Sequence, residues 1–181
     1  ATLLHLGPGL ANGLANLHNA QRACSPMVNI VGDHATYHRK YDAPLTSDVE
    51  AIAGPVSGWV KVSESADDVA LDGAAAVQAA MSPPGQVATL ILPADTAWNR
   101  TQSVATQLAP PEPDPVDSAQ VDDVAKALRS GKPAVLLVGG VITAERAALC
   151  DQISQATGAR IIMDTFMPRV QRGAGRADVE R

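Results

Sequence analysis

The sequence predicts an α/β protein of parallel sheets flanked by helices, and three observations carry that prediction. Short aliphatic runs such as Thr2–Leu6, Met27–Val31 and Gln86–Leu92 stop at glycine, proline or aspartate, as buried strands do. Amphipathic stretches at helical spacing stand between them, the first marked by Leu10, Leu14 and Leu17. The apolar fraction is 46% with only 3% aromatic residues, so Ala, Val, Leu and Ile must fill the core. Strand and helix in alternation imply strands that run the same way.

The elements follow in order. Thr2–Leu6 is the first strand, and Gly7-Pro8-Gly9 reads as a tight turn into the first helix. Gly7 and Gly9 allow positive φ and close backbone approach there, while Pro8 fixes φ at the mouth of the helix. After Ser25-Pro26, Met27–Val31 is a second strand that ends at Gly32-Asp33-His34, read as a strand-end turn carrying polar groups. Ala35 to Ser47 has no periodicity and reads as a loop at a strand's carboxyl end, where binding residues collect in such folds. Asp48 caps a short helix through Ile52, closed by Gly54-Pro55, and Trp59–Val62 is a short strand. Ser65 with Asp68 forms a capping-box-like opening to a helix whose stripe is Val69, Ala76, Val77 and Ala80. Gln86–Leu92 is the clearest strand, ended by Pro93-Ala94-Asp95.

From residue 94 to 117 the composition changes. Pro110, Pro111, Pro113 and Pro115 alternate with Glu112 and Asp114, a stiff spacer that places a domain boundary. Beyond it Asp117 or Ser118 caps a helix bearing Val121, Val124, Ala125 and Leu128. Pro133–Val138 is a strand, Gly139-Gly140 a turn, Thr143 the cap of a helix through Ala156, and Arg160–Met163 the next strand. That order implies a second parallel sheet.

Composition excludes several classes of function. With 14 basic against 19 acidic residues and no basic stripe, a nucleic-acid partner is not expected. Cys24 and Cys150 lie far apart and read as small buried hydrophobes in a reducing compartment. No apolar run reaches the ~18 residues of a membrane span. The reading is a soluble, cytoplasmic chain with no membrane partner. Ala1 at the edge of an apolar strand, with no turn or cap before it, suggests an internal piece of a longer chain.

Candidate sites stand beside plainer readings. Gly7, Gly9 and Gly13 give G-x-G-x-x-x-G, one residue off the dinucleotide fingerprint, and the same glycines suit a turn without a ligand. His5 ends a strand and can shuttle a proton near neutral pH, or be held by a backbone carbonyl inside the fold. His34 and His38 flank a loop but lack a third partner for a metal, and His18 suits a helix surface. Gly139-Gly140 before Thr143 can receive a phosphate or be an empty turn. Arg169, Arg172 and Arg176 can bind an anion or be a solvated terminal segment.

His5-Leu-Gly-Pro-Gly-Leu-Ala-Asn12-Gly, Ser25-Pro-Met-Val-Asn-Ile-Val-Gly-Asp33 and Asp48-Val-Glu-Ala-Ile-Ala-Gly-Pro-Val-Ser57 together resemble thiamine-diphosphate enzymes of the acetolactate synthase and benzoylformate decarboxylase group. The resemblance covers the whole chain. It implies that residues 1–93 are the later part of a pyrimidine-binding domain, 94–117 a linker, and 118–181 the first half of a Rossmann-like middle domain. It implies decarboxylation of a 2-keto acid and transfer of the remainder to a second carbonyl, as in branched-chain amino acid biosynthesis. A simple 2-keto acid decarboxylase, or a non-catalytic α/β binding module, stands as the alternative.

The resemblance also assigns residues. Gly7, Pro8, Gly9 and Asn12 would line the pyrimidine side of the cofactor, and His5 matches the catalytic histidine of benzoylformate decarboxylases. Acetolactate synthases usually carry a small hydroxyl residue there, although their Gly-Pro-Gly is closer to this turn. Asp33, His34 and His38 would face the substrate. Asp33 stands where both groups usually have Gln, and its carboxylate would repel a keto acid unless protonated or paired. The family's activating glutamate and its magnesium and diphosphate motif have no counterpart here, so Mg2+ would be bound by parts outside this chain. FAD in the middle domain is left open. The implied partners are a small 2-keto acid and further copies of the chain, as a homodimer or homotetramer.

Overall fold

Strands β1 (Thr2–His5), β2 (Met27–Asp33), β3 (Trp59–Val62) and β4 (Val87–Pro93) form one parallel sheet in the spatial order β1-β2-β4-β3. The computed structural model describes residues 1–167 and 173–175 and divides into two compact units, residues 1–112 and 113–181. This sheet is the centre of the first. Side chains alternate across β4, the most buried strand. Val87 and Ile91 face the helices α1 (Leu6–Arg22) and α2 (Val49–Ala53), meeting Leu10, Leu17, Val49 and Ala53. Ala88 and Leu90 face α3 (Val69–Met81) through Ala76 and Ala80. Small alanines let α3 lie close, which explains how a core almost without aromatics packs.

A buried polar ladder crosses three neighbouring strands and pins their register. Thr2 Oγ1 donates to Asn29 Oδ1 at 2.8 Å, and Asn29 Nδ2 donates to Thr89 Oγ1 at 3.1 Å. Ser57 Oγ completes it, 2.7 Å from Thr89 Oγ1. Asn29 and Thr89 are fully buried, so a slip by one residue would strand their polar atoms among aliphatics.

The first corner differs from the expected tight turn. The strand ends at His5 and the helix begins at Leu6, so Gly7, Pro8 and Gly9 lie inside its first turn. The left-handed residue is Leu6, with φ 57°, and neither Gly7 nor Gly9 has a positive φ. Pro8 is tolerated because the first N–H groups of a helix have no intrahelical acceptor. The glycines serve packing instead: a Cβ on Gly7 would run into the Ser47 side chain, and one on Gly13 would stand 2.8 Å from Leu4 Cδ1.

Other expectations are revised. Gly32 and Asp33 belong to β2 and are not a turn. Asp68 stands before α3 but caps no backbone N–H; Ser65 Oγ donates to its carboxylate at 2.6 Å. Asp48 does cap α2, accepting from the Ala51 N–H at 2.9 Å. Cys24 and Cys150 are half-buried free thiols, and Cys24 takes a left-handed φ of 51° at the turn after α1. The stretch read as a linker opens with helix α4 (Ala94–Trp98), and Thr101 and Ala109 bond to Asp67 and Gln78.

The second unit holds α5 (Ser118–Leu128), β5 (Val135–Val138), α6 (Ala144–Thr157) and β6 (Arg160–Met163), with β5 and β6 parallel. Asp117 caps α5 and Thr143 caps α6, as their spacing predicts, and Gly158 ends α6 at φ 72°.

Candidate functional site

Three adjacent parallel strands end side by side. β1 ends at His5 opposite Gly32, and β2 ends at Asp33 opposite Pro93 of β4. The crevice outside such strand ends is where open α/β sheets hold ligands. Here it is a cleft of about 360 Å³ whose walls include His5, Asp33, His34, His38, Ala94 and Trp98. Four residues singled out in the sequence therefore converge, from the ends of β1 and β2 and from the loop after β2.

His5 is exposed at the end of its strand, and a Cβ built on Gly32 would stand 3.9 Å from its Nδ1. Glycine at 32 leaves that side of the imidazole open. Just beyond, α1 begins, with Pro8 exposed and Gly9 half-buried in its first turn and Asn12 exposed one turn on. Gly9 differs from Gly7 because a Cβ there meets only ordinary contacts, His5 Cβ at 3.6 Å and the Leu4 carbonyl carbon at 3.7 Å. The chain's own packing does not require glycine at 9.

Asp33 is the most heavily engaged group in the cleft. Its Oδ1 accepts from the His34 backbone N–H at 2.7 Å, and its Oδ2 accepts from Arg39 Nη2 at 2.6 Å. The Asp33 side chain is 10% exposed and that of Arg39 39%. The carboxylate is thus paired, which removes the repulsion expected of it from sequence. Asp33 also lines a smaller cleft of about 130 Å³, together with Arg39, Thr46 and the start of α2. The His34 ring lies 5.2 Å from that of His38, which in turn lies 5.8 Å from Tyr41. Among the described residues, the buried side-chain polar atoms without a hydrogen-bond partner are His34 Nε2, Arg39 Nε and Thr46 Oγ1, all in this loop.

Asp95 fastens the loop to α4, its Oδ1 and Oδ2 accepting from the Thr36 N–H at 2.9 Å and from Thr36 Oγ1 at 2.6 Å. Those bonds, led by the one from the Thr36 hydroxyl, hold the Asp95 carboxyl below its ordinary pKa. Ala94 and Trp98, walls of the cleft, were not expected from sequence; they follow the end of β4 just as His34 and His38 follow the end of β2.

The remaining candidates lie elsewhere. His18 is exposed on α1, 3.4 Å from Asn19 Oδ1. The Gly139-Gly140 turn has the Asp164 carboxylate 4.0 Å from a Cβ built on Gly139, an unfavourable neighbour for a phosphate. Arg169, Arg172 and Arg176 lie outside the described residues.

Residues 1–53 match the family "Thiamine pyrophosphate enzyme, N-terminal TPP binding domain". The whole chain is 55% identical to a Mycobacterium tuberculosis protein provisionally named acetolactate synthase large subunit IlvX, of which it covers 35%. The chain is homologous to thiamine-diphosphate enzymes. Solved structures share the fold. A thiamin diphosphate-dependent enzyme of Mycobacterium smegmatis, provisionally so named, superposes with a TM-score of 0.71 at 22% identity. It covers 92% of this chain, and this chain 33% of it. The 4-hydroxybenzoylformate decarboxylase of Rhodococcus jostii RHA1 gives 0.72 at 21% identity, over 89% of this chain and 32% of the enzyme. The chain thus spans about a third of the length of these relatives. The segment that matches this family contains β1, α1, β2 and the loop of the cleft, and so His5, Asp33, His34 and His38, whereas Ala94 and Trp98 lie outside it. Among the described residues, no helix is long and apolar enough to cross a membrane.

Proposed function

We propose that this chain is part of a thiamine-diphosphate-dependent 2-keto acid carboligase of the acetolactate synthase type. Residues 1–93 are then the later part of its pyrimidine-binding domain, and 118–181 the first half of its middle domain. The observation that carries the reading is an exposed His5 at a strand end, beside a first helical turn whose Gly9 no internal contact demands. A flat aminopyrimidine suits that place: the wall is small and neutral, built of Pro8 and Gly9 with the Asn12 amide one turn along, while the buried Gly7 supports it from within the fold. Thiamine diphosphate supplies the carbon nucleophile and the electron sink for decarboxylation. Mg2+ and the diphosphate are assigned, from the resemblance, to parts of the enzyme outside this chain.

In this reading the chain's own residues do three things. The first turn of α1 orients the cofactor ring. His5 holds or moves a proton at the keto acid's carbonyl oxygen, as an imidazole can near neutral pH. Asp33, His34 and His38 shape the substrate side, with Asp33 already neutralised by Arg39. The enzyme acts as a homodimer or homotetramer in the cytoplasm, and the visible absorbance of the purified protein reports whether its middle domain carries FAD.

His5 specifically favours a second reading, a 2-keto acid decarboxylase, because its imidazole can deliver the proton that releases a free aldehyde. Product analysis with pyruvate separates the two: acetolactate for the carboligase, acetaldehyde for the decarboxylase. A non-catalytic binding module would show no saturable binding of thiamine diphosphate to the protein at its native length. For the enzyme readings, His5→Ala lowers turnover at least about a hundredfold with cofactor affinity changed only modestly; unchanged turnover removes His5 from the mechanism.

A further inference from the structure

Asp33 stands in the wall between two clefts, the larger containing His5 and the smaller containing Arg39. A carboxylate at the floor of a keto-acid site works against binding, because the substrate is itself an anion. Arg39 lines the smaller cleft and not the larger, and engages Oδ2, while Oδ1 accepts from the His34 backbone N–H. Both oxygens therefore have partners within the chain, and the ion pair offsets the charge that the strand-end carboxylate shows to the larger cleft.

We infer that Arg39 is a positioning residue that sets the charge of the His5 cleft. It offsets the Asp33 charge and holds the carboxylate beside the His34 backbone. The cleft then presents imidazoles, from His5, His34 and His38, to the carboxylate of a 2-keto acid. This rests on the keto-acid reading above. A purely structural role for the pair would fix the loop equally well, so charge and structure must be separated by experiment. Because the Arg39 side chain is 39% exposed, solvent screens part of the effect. An unpaired Asp33 beside a bound carboxylate is then expected to weaken binding by about ten- to a hundredfold.

The test uses the protein at its native length with thiamine diphosphate and Mg2+. Arg39→Gln raises KM for pyruvate at least about tenfold with kcat within about threefold. Adding Asp33→Asn to that variant restores most of the lost affinity, and Arg39→Lys keeps most of it. Pyruvate titration without cofactor, read by the fluorescence of Trp98 in the cleft wall, gives the same order without turnover. An unchanged KM in Arg39→Gln, or a double variant as poor as the single one, overturns the role of Arg39. A wild-type protein that neither binds nor turns over pyruvate overturns the keto-acid reading, and this inference with it.

Discussion

Gly7 and Gly9 lie in the same helical turn, yet the structure gives them opposite responses to a methyl group. A Cβ on Gly7 would overlap the Ser47 side chain, which is held where the chain enters α2. Overpacking of this kind costs about 1–3 kcal/mol, of which better helix propensity returns at most about 1 kcal/mol. Gly9 has no positive φ, and a Cβ there meets its nearest atoms at 3.6 and 3.7 Å. Gly9→Ala should therefore stabilise by about 0.4–1 kcal/mol, chiefly by restricting the unfolded chain. The two variants should differ by about 2 kcal/mol. Urea unfolding followed by tryptophan fluorescence measures this for the first unit alone, because Trp59 and Trp98 both lie there. In the protein at its native length Gly9→Ala should weaken thiamine diphosphate binding despite the gain in stability, since the methyl projects where the ring is placed. Equal destabilisation by both substitutions would refute the packing argument. Unaltered cofactor affinity in Gly9→Ala would refute the assignment of that turn to the cofactor.

Other outcomes follow from the fold. Asn29→Val removes the hydrogen bonds to Thr2 and Thr89 but leaves Thr89 its bond to Ser57, so the cost should be about 1–3 kcal/mol by the same urea assay. Thr2→Val should cost about 1–3 kcal/mol although Thr2 itself is exposed, because it leaves the buried Asn29 Oδ1 without its donor. Asp95, its pKa lowered by Thr36, stabilises the loop above the ordinary carboxyl pKa and loses that contribution as pH falls through its folded value. The protection factor of the Thr36 amide, exchange taken relative to its intrinsic rate at each pH, should therefore fall on acidification more than those of its neighbours, and Thr36→Val should abolish the excess.

The strand and helix order was legible because aliphatic runs and helical stripes are local properties, and so were the caps at Asp48, Asp117 and Thr143. The convergence of His5, Asp33, His34 and His38 was legible too, from the rule that parallel strands collect ligands at their carboxyl ends. Applied to β4, the same rule would have reached Ala94 and Trp98, but prolines further on led residues 94–98 to be read as linker, and α4 is too short to show periodicity. The mouth of α1 misled for a different reason. Glycines suggest positive φ, whereas at this corner Leu6 takes the left-handed conformation and the glycines relieve crowding by Ser47 and Leu4. The Asp33–Arg39 pair was out of reach, because the loop between them has no pattern and their meeting depends on how it folds back.

The central claim is that thiamine diphosphate sits beside α1's first turn, against His5. The chain has four histidines, three in the cleft and His18 some 13 residues beyond His5 on α1, about 20 Å away along the helix. Side-chain 1H–15N spectra of the native-length protein, recorded before and after addition of thiamine diphosphate and Mg2+, test the claim with an internal control. The account predicts that the imidazole signals of His5 shift most, those of His34 and His38 less, and those of His18 not at all. A silent His5, or a His18 that moves as much, would contradict it.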